Sequence, residues 1–176
     1  LAPGEALTSG SLLAGVSGRP VIGMQLPFVL YRDIHGGDSG DDVREIQRAL
    51  QSLGLYSGAI DGQYGARTAL AVESLYTRLN VAKPSPEQSA LAELETAQEA
   101  LNQAQIAATA APDDQAAAAA LASAQKALSS AKTAVLTPVL RSEIIALPAN
   151  TVTVVALAPI NTQIGADTPL ASLRSG

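Results

Sequence analysis

After Pro86 the chain runs to Leu136 without a glycine and with a single proline, Pro112, in a stretch dominated by alanine. A segment so poor in turn residues and so rich in the strongest helix former has few alternatives to helix. Its larger apolar residues specify how the helices meet. Ala90, Leu94, Ala97, Leu101, Ala104 and Ala108 alternate spacings of four and three, and Ala117, Leu121, Ala124, Leu128, Ala131 and Val135 do the same. Between the two seams lies Ala-Pro-Asp-Asp. Pro112 cannot continue the first helix, and Asp113 or Asp114 places negative charge at the start of the second. The pattern predicts an antiparallel hairpin with a small-residue seam, each arm about 35–40 Å long at about 1.5 Å per residue. The regular leucine placement argues against low-complexity disorder.

The two ends of the chain resemble each other. Leu1 to Gly18 and Leu157 to Gly176 share an opening Leu-Ala-Pro, a small polar turn, and a closing Leu-Ala-x-hydrophobic stretch that ends in Gly. Both regions are rich in Gly, Pro, Val and Leu and read as short strands and turns. A repeat divided between the termini predicts two half-motifs completing one β module, with the helical middle as an insertion. The expected organisation is α+β: residues 1–35 and 138–176 as the two β halves, 36–84 as a helical module, and 85–137 as the hairpin.

Composition removes several function classes. The net charge is −5 with no basic run, so nucleic acid is not an expected partner. There is no cysteine and one histidine, His35, which removes thiol nucleophiles, thiolate metal sites and paired imidazole ligands. His35 beside Ser39 has no third partner or oxyanion hole in view and reads as a loop residue. Asp38, Asp41 and Asp42 do not follow calcium-loop spacing and read as helix-start charges. No metal and no catalytic residue is expected. The opening at Leu1 reads as that of an excised fragment.

The stretch from His35 to Gly54 carries a helix with marked ends. Ser39 and Asp42 have capping-box spacing, and Gly54 stands where a left-handed C-cap belongs. Val43, Ile46, Leu50 and Leu53 line one face. A second helix from near Ala66 to near Asn80 puts Thr68, Val72, Leu75 and Leu79 together. Between them, in Ile-Asp-Gly-Gln-Tyr-Gly, Asp61 either hydrogen-bonds its own turn or contacts a ligand, and Gly62 supplies a positive φ. Tyr64 reads either as half-buried packing or as a stacking surface for a sugar or peptide. Glu143 is expected to pair with Arg141 or Arg32.

The sequence GDSGDDVREIQRALQSLGLYSGAIDGQYGARTALAV closely resembles the three-helix type of peptidoglycan-binding module. That resemblance implies a shallow groove beside the Asp-Gly turn, with Asp61, Gly62, Tyr64, Thr68 and Tyr76 as candidate ligand-binding positions. The family usually has Phe-Gln where this chain has Leu75-Tyr76, so Leu75 takes the core place and Tyr76 puts a phenol where an amide is usual. The flanks and hairpin are similar to actinobacterial periplasmic adaptor (membrane fusion) proteins, with a split lipoyl-like domain and a coiled-coil arm. Lysines occur only at 83, 126 and 132, none in either β half, so no lipoyl or biotinyl lysine is available and no cofactor is expected.

The resemblances imply a non-catalytic extracytoplasmic scaffold in a Gram-positive envelope. Its expected partners are peptidoglycan and a membrane exporter of the ABC type, and its full-length form is expected to be membrane-anchored. The alternative is a cell-wall targeting fragment of a peptidoglycan hydrolase or transpeptidase whose catalytic domain lies elsewhere. A third is a helical module that serves only as a rigid spacer.

Overall fold

The Thr-Val-Thr-Val run at 151–154 alternates outward and inward side chains, the signature of a strand with one buried face. In the computed structural model, which describes residues 1–159 and 169–175, it forms β5 (Thr151–Leu157). This strand is the centre of an antiparallel sheet between β1 (Ala6–Thr8) and β6 (Ala171–Ser175), with Leu7 opposite Val152 and Val154 opposite Leu173. A second sheet places β3 (Arg19–Gln25) between β2 (Ser11–Val16), antiparallel, and β4 (Ile144–Leu147), parallel. Strands from both ends of the chain therefore interleave in each sheet. The sheets share one core of Leu7, Leu13, Val21, Leu147, Val152 and Val154, to which each sheet contributes three residues. The polar turn expected before Leu170 falls at 160–168, outside the described residues.

Five consecutive residues of β3, Pro20 to Met24, are buried, because the strand is covered on both faces. Val21 faces the inter-sheet core, whereas Ile22 and Met24 join a larger core with the helical module. That module contains α1 (Asp41–Ser52) and α2 (Ala66–Arg78) and, within 36–84, no third helix. The three-helix expectation is corrected: the layer that a third helix would supply comes from Leu26, Leu30, Ile34, Val139 and Ile144 of the scaffold. α1 ends as expected, with Gly54 at φ +71, its N–H donating to Gln51 and that of Leu55 to Leu50. Its start differs. The N-cap is Gly40, and no capping box forms, because the carboxylate of Asp42 accepts from Arg32 Nε at 2.7 Å and Nη2 at 3.2 Å. Burial opposes the charge on Asp42, but the bonds from Arg32 and from the Val43 N–H outweigh it and hold its pKa below the usual value.

α3 (Gln88–Ala110) and α4 (Gln115–Ala134) form the hairpin, packed on each other along Leu94, Ala97, Leu101, Leu128 and Ala131. Asp114 caps α4 by accepting from the Ala116 N–H at 2.8 Å. Among the described residues no helix is long and apolar enough to cross a membrane.

Glu143, 1% exposed, stands in the short 3-10 turn before β4 (141–143). Its partners are Arg19 on β3, bound to Oε1, and Tyr76 on α2, whose hydroxyl donates to Oε2 at 2.5 Å. Neither Arg141 nor Arg32 reaches it: Arg32 is held by Asp42 and Asp38, and Arg141 donates its backbone N–H to Asp33 and its guanidinium to the carbonyl of Tyr31. One buried carboxylate thus joins sheet, turn and α2. Leaving such a charge unpaired costs about 3–5 kcal/mol.

Candidate functional site

Val43, Ile46 and Leu50 give α1 an apolar inner stripe, and Gln47 lies within it, 0% exposed. The burial of a primary amide requires partners for its whole head group. Gln47 finds them in the 61–63 turn and in Thr68. Oε1 accepts from the Gly62 N–H at 2.9 Å, and Nε2 lies 2.8 Å from Asp61 Oδ1, 3.1 Å from the Gln63 carbonyl and 3.2 Å from Thr68 Oγ1. Asp61 Oδ1 also accepts from the Gln63 N–H at 2.9 Å, closing an Asx turn. Its carboxyl is held below the usual carboxylate range by the Gln47 bond first and the Gln63 bond second. Gly62 has φ +73, and a Cβ there would sit 2.9 Å from the Gly40 carbonyl oxygen, so both conformation and space demand glycine.

The far side of the turn is bound to the segment before α1. Gly40 N–H donates to Gly62 at 3.0 Å, Tyr64 N–H to Asp38 at 2.8 Å and Gly37 N–H to Tyr64 at 2.9 Å. Tyr64, 1% exposed, extends its hydroxyl to the Thr137 carbonyl at 2.6 Å at the root of the hairpin. The Thr137 hydroxyl in turn donates to Glu73 Oε1 at 2.6 Å. Lys83 and then Thr137 lower the pKa of Glu73. Burial raises the phenol pKa of Tyr64; for Tyr76 burial acts first and the bond to Glu143 second.

These positions alter the expected site. Asp61 is exposed, whereas Gly62, Tyr64, Thr68 and Tyr76 are buried and committed to partners within the fold. Of the two readings of Tyr64, packing accords with its place in the core, and at 1% exposure the ring is buried beyond the half-burial expected. Tyr76 likewise acts through Glu143, not through an open face. Gly62, Tyr64 and Thr68 belong to the turn and its clamp, Tyr76 ties α2 to Glu143, and Asp61 alone of the five stands at the surface.

An open depression lies beside the turn, between the 55–58 loop and α2. Leu55, Tyr56, Ser57, Gly58, Arg67, Leu70, Ala71 and Ser74 surround about 270 Å³. Leu70 is 61% exposed, and Arg67 makes no ion pair among the described residues. Tyr56 is fixed here by donating its hydroxyl to the Ala59 carbonyl at 2.8 Å. An apolar patch beside an available guanidinium and small hydroxyls suits a ligand with a carboxylate and short apolar groups. A groove beside the turn is expected from the sequence, but its lining residues and Gln47 are not among the expected positions, although both have signals. Leu70 falls opposite the Thr68-Val72-Leu75 stripe, an apolar residue on the wet side of its helix. Gln47 is a polar residue on the dry side of α1.

Among the described residues no group of three or more His, Cys, Asp or Glu could hold a metal ion. No curated protein and no solved structure matches the chain. Residues 39–75, which span α1, the Gln47-clamped turn and α2 as far as Leu75, match the family model described as "Putative peptidoglycan binding domain".

Proposed function

We propose that the chain is a non-catalytic cell-wall-binding scaffold of the extracytoplasmic envelope, whose helical module engages peptidoglycan. The observation that carries this is the family match over residues 39–75, on a module with an open groove. Arg67 offers charge to a peptide carboxylate, Leu70 and Ala71 offer contact to short aliphatic side chains, and Asp61 lies on the neighbouring turn. Peptidoglycan stem peptides combine acidic and alanyl groups, which is the chemistry this groove meets. The interleaving of strands from both ends around the inserted helices and hairpin supports a finer reading: the adaptor-like part of an export system, with a split lipoyl-like module and a hairpin that meets a membrane exporter.

The test is co-sedimentation with purified sacculi. The chain is expected in the pellet, and a double variant Arg67→Glu, Leu70→Asp, altered at exposed positions that leave the core intact, is expected in the supernatant. A chain that stays in the supernatant under all salt conditions, or a double variant that pellets equally, sinks the reading.

A further inference from the structure

α1 presents a second stripe besides its buried one. Glu45, Arg48 and Ser52, with the buried Ala49 at the stripe's inner edge, follow the spacing i, i+3, i+4, i+7 and face the end of β3. Between this stripe and Gln25, Leu26, Pro27 and Pro148 lies a cleft of about 360 Å³. That volume falls in the range of small-ligand sites. Half of its wall is α1 and half is the β scaffold, so the 39–75 module alone cannot form it.

The lining has a definite chemistry. Glu45 and Arg48 form an ion pair, so the cleft contains both charges with no net charge; Arg48 remains 54% exposed, Gln25 lines the same cleft, and the Ser52 hydroxyl donates to the Ala49 carbonyl at 2.8 Å. The exposed Pro27 and Pro148 supply apolar surface over a floor of buried Leu26 and Ala49. A charged ligand would have to compete with the existing ion pair. A neutral polyol does not: each hydroxyl donates to Glu45 or accepts from Arg48 while the pair persists. Sugar rings also carry apolar C–H faces that the exposed proline rings match. The walls are stiff, since the proline rings fix their own φ and Leu26 is 4% exposed with its N–H bonded to the Leu147 carbonyl at 3.3 Å.

From this we infer that the cleft between α1 and the β3 end binds a saccharide unit of an envelope polysaccharide, at a site separate from the α2 groove. The insertion of the module into the scaffold creates this glycan site, and the chain holds a sugar where the two parts abut.

The experiment is an NMR titration of the intact chain, labelled with nitrogen-15, against peptide-free oligosaccharides: an N-acetylglucosamine tetramer in one arm and a glucose oligomer in the other. Saturable shifts are expected at the Gln25 side chain, Arg48 Nε and the Ser52 amide. Arg48→Ala should weaken binding about tenfold through loss of a charge-assisted hydrogen bond. Ser52→Trp, which fills the cleft from an exposed position, should abolish it. Shifts in the amino-sugar arm alone assign the glycan backbone of the wall as the source, and shifts in the glucose arm assign another polysaccharide. No shifts in either arm into the millimolar range overturn the proposal, as does binding that survives both substitutions. Shifts confined to residues 55–58 and α2 also overturn it, while leaving the sacculus-binding reading intact.

Discussion

Gln47→Leu separates the polar role of the buried amide from its volume. Leucine is of similar bulk, so the cavity term is small and the change falls on the hydrogen bonds. The Gly62 N–H, bonded to Oε1 at 2.9 Å in a buried turn, would lose its partner, at a cost of about 1–3 kcal/mol. The bond to Asp61 matters less, because water replaces it at an exposed carboxylate, and the bond to the Gln63 carbonyl adds about 1 kcal/mol. The expected loss is about 2–3 kcal/mol, or about 5–10 °C in the thermal midpoint of a chain of this size. Urea unfolding followed by circular dichroism measures it, and amide hydrogen exchange at Gly62 should accelerate selectively. There is a pH signature. Asp61 has a lowered pKa in the folded chain, so its contribution is present above the unfolded carboxylate range and fades as pH falls through the folded value. The variant should lack most of that acid dependence. A loss below about 0.5 kcal/mol, or unchanged exchange at Gly62, would refute the view that Gln47 holds the turn.

Tyr76→Phe removes the donor to Glu143 Oε2 in a buried setting and should cost about 1.5–3 kcal/mol by urea unfolding; an effect on binding to sacculi without one on stability would contradict the supporting role. Spectrophotometric titration should find Tyr64 and Tyr76 still protonated where a free phenol ionises, because burial raises both above 10.0. A raised folded-state value means that their stabilisation is complete below the unfolded phenol range and is lost as pH rises beyond it, so alkaline unfolding should release both signals together. Gly36→Ala would place a Cβ 1.8 Å from the Thr133 carbonyl oxygen, and the hairpin root must shift or detach. Distances between spin labels at the hairpin tip and on α1 should broaden; an unchanged distribution would show that the root is looser than its contacts imply.

The features legible in the sequence are those fixed by local rules. The Ala-Leu seams declare the hairpin because helical period alone brings Leu94 and Leu101 to one side of α3 and Leu128 and Ala131 to one side of α4. Gly54 marks the end of α1 because a left-handed cap is a one-residue requirement. The meeting of the two ends was readable as a repeat, but the strand order was not. Parallel pairing of Ile22 with Ile144 depends on contacts more than a hundred residues apart, and no local propensity encodes it. The same holds for Glu143, whose partner Arg19 only the assembled fold brings near, whereas Asp42 pairs with Arg32 ten residues before it across an irregular loop that no helix or strand period describes. At the candidate site the Asp-Gly turn was plain. The burial of Tyr64 and Tyr76 was not, because it depends on scaffold residues covering the module.

The interleaving of strands sets a timetable for a chain made from its N-terminus. The β2–β3 hairpin, α1, α2 and the Ala-rich arms find their partners close by and can form as they emerge. β1 cannot: Leu7 must wait for Val152, and β3 stays unpaired along one edge until Ile144 arrives. From the emergence of the Ala-rich arms until Ile144 and Val152 follow, the nascent chain holds finished helices above an open seam. That seam is a place for a holdase to act, and the last strands to appear are those that shut it.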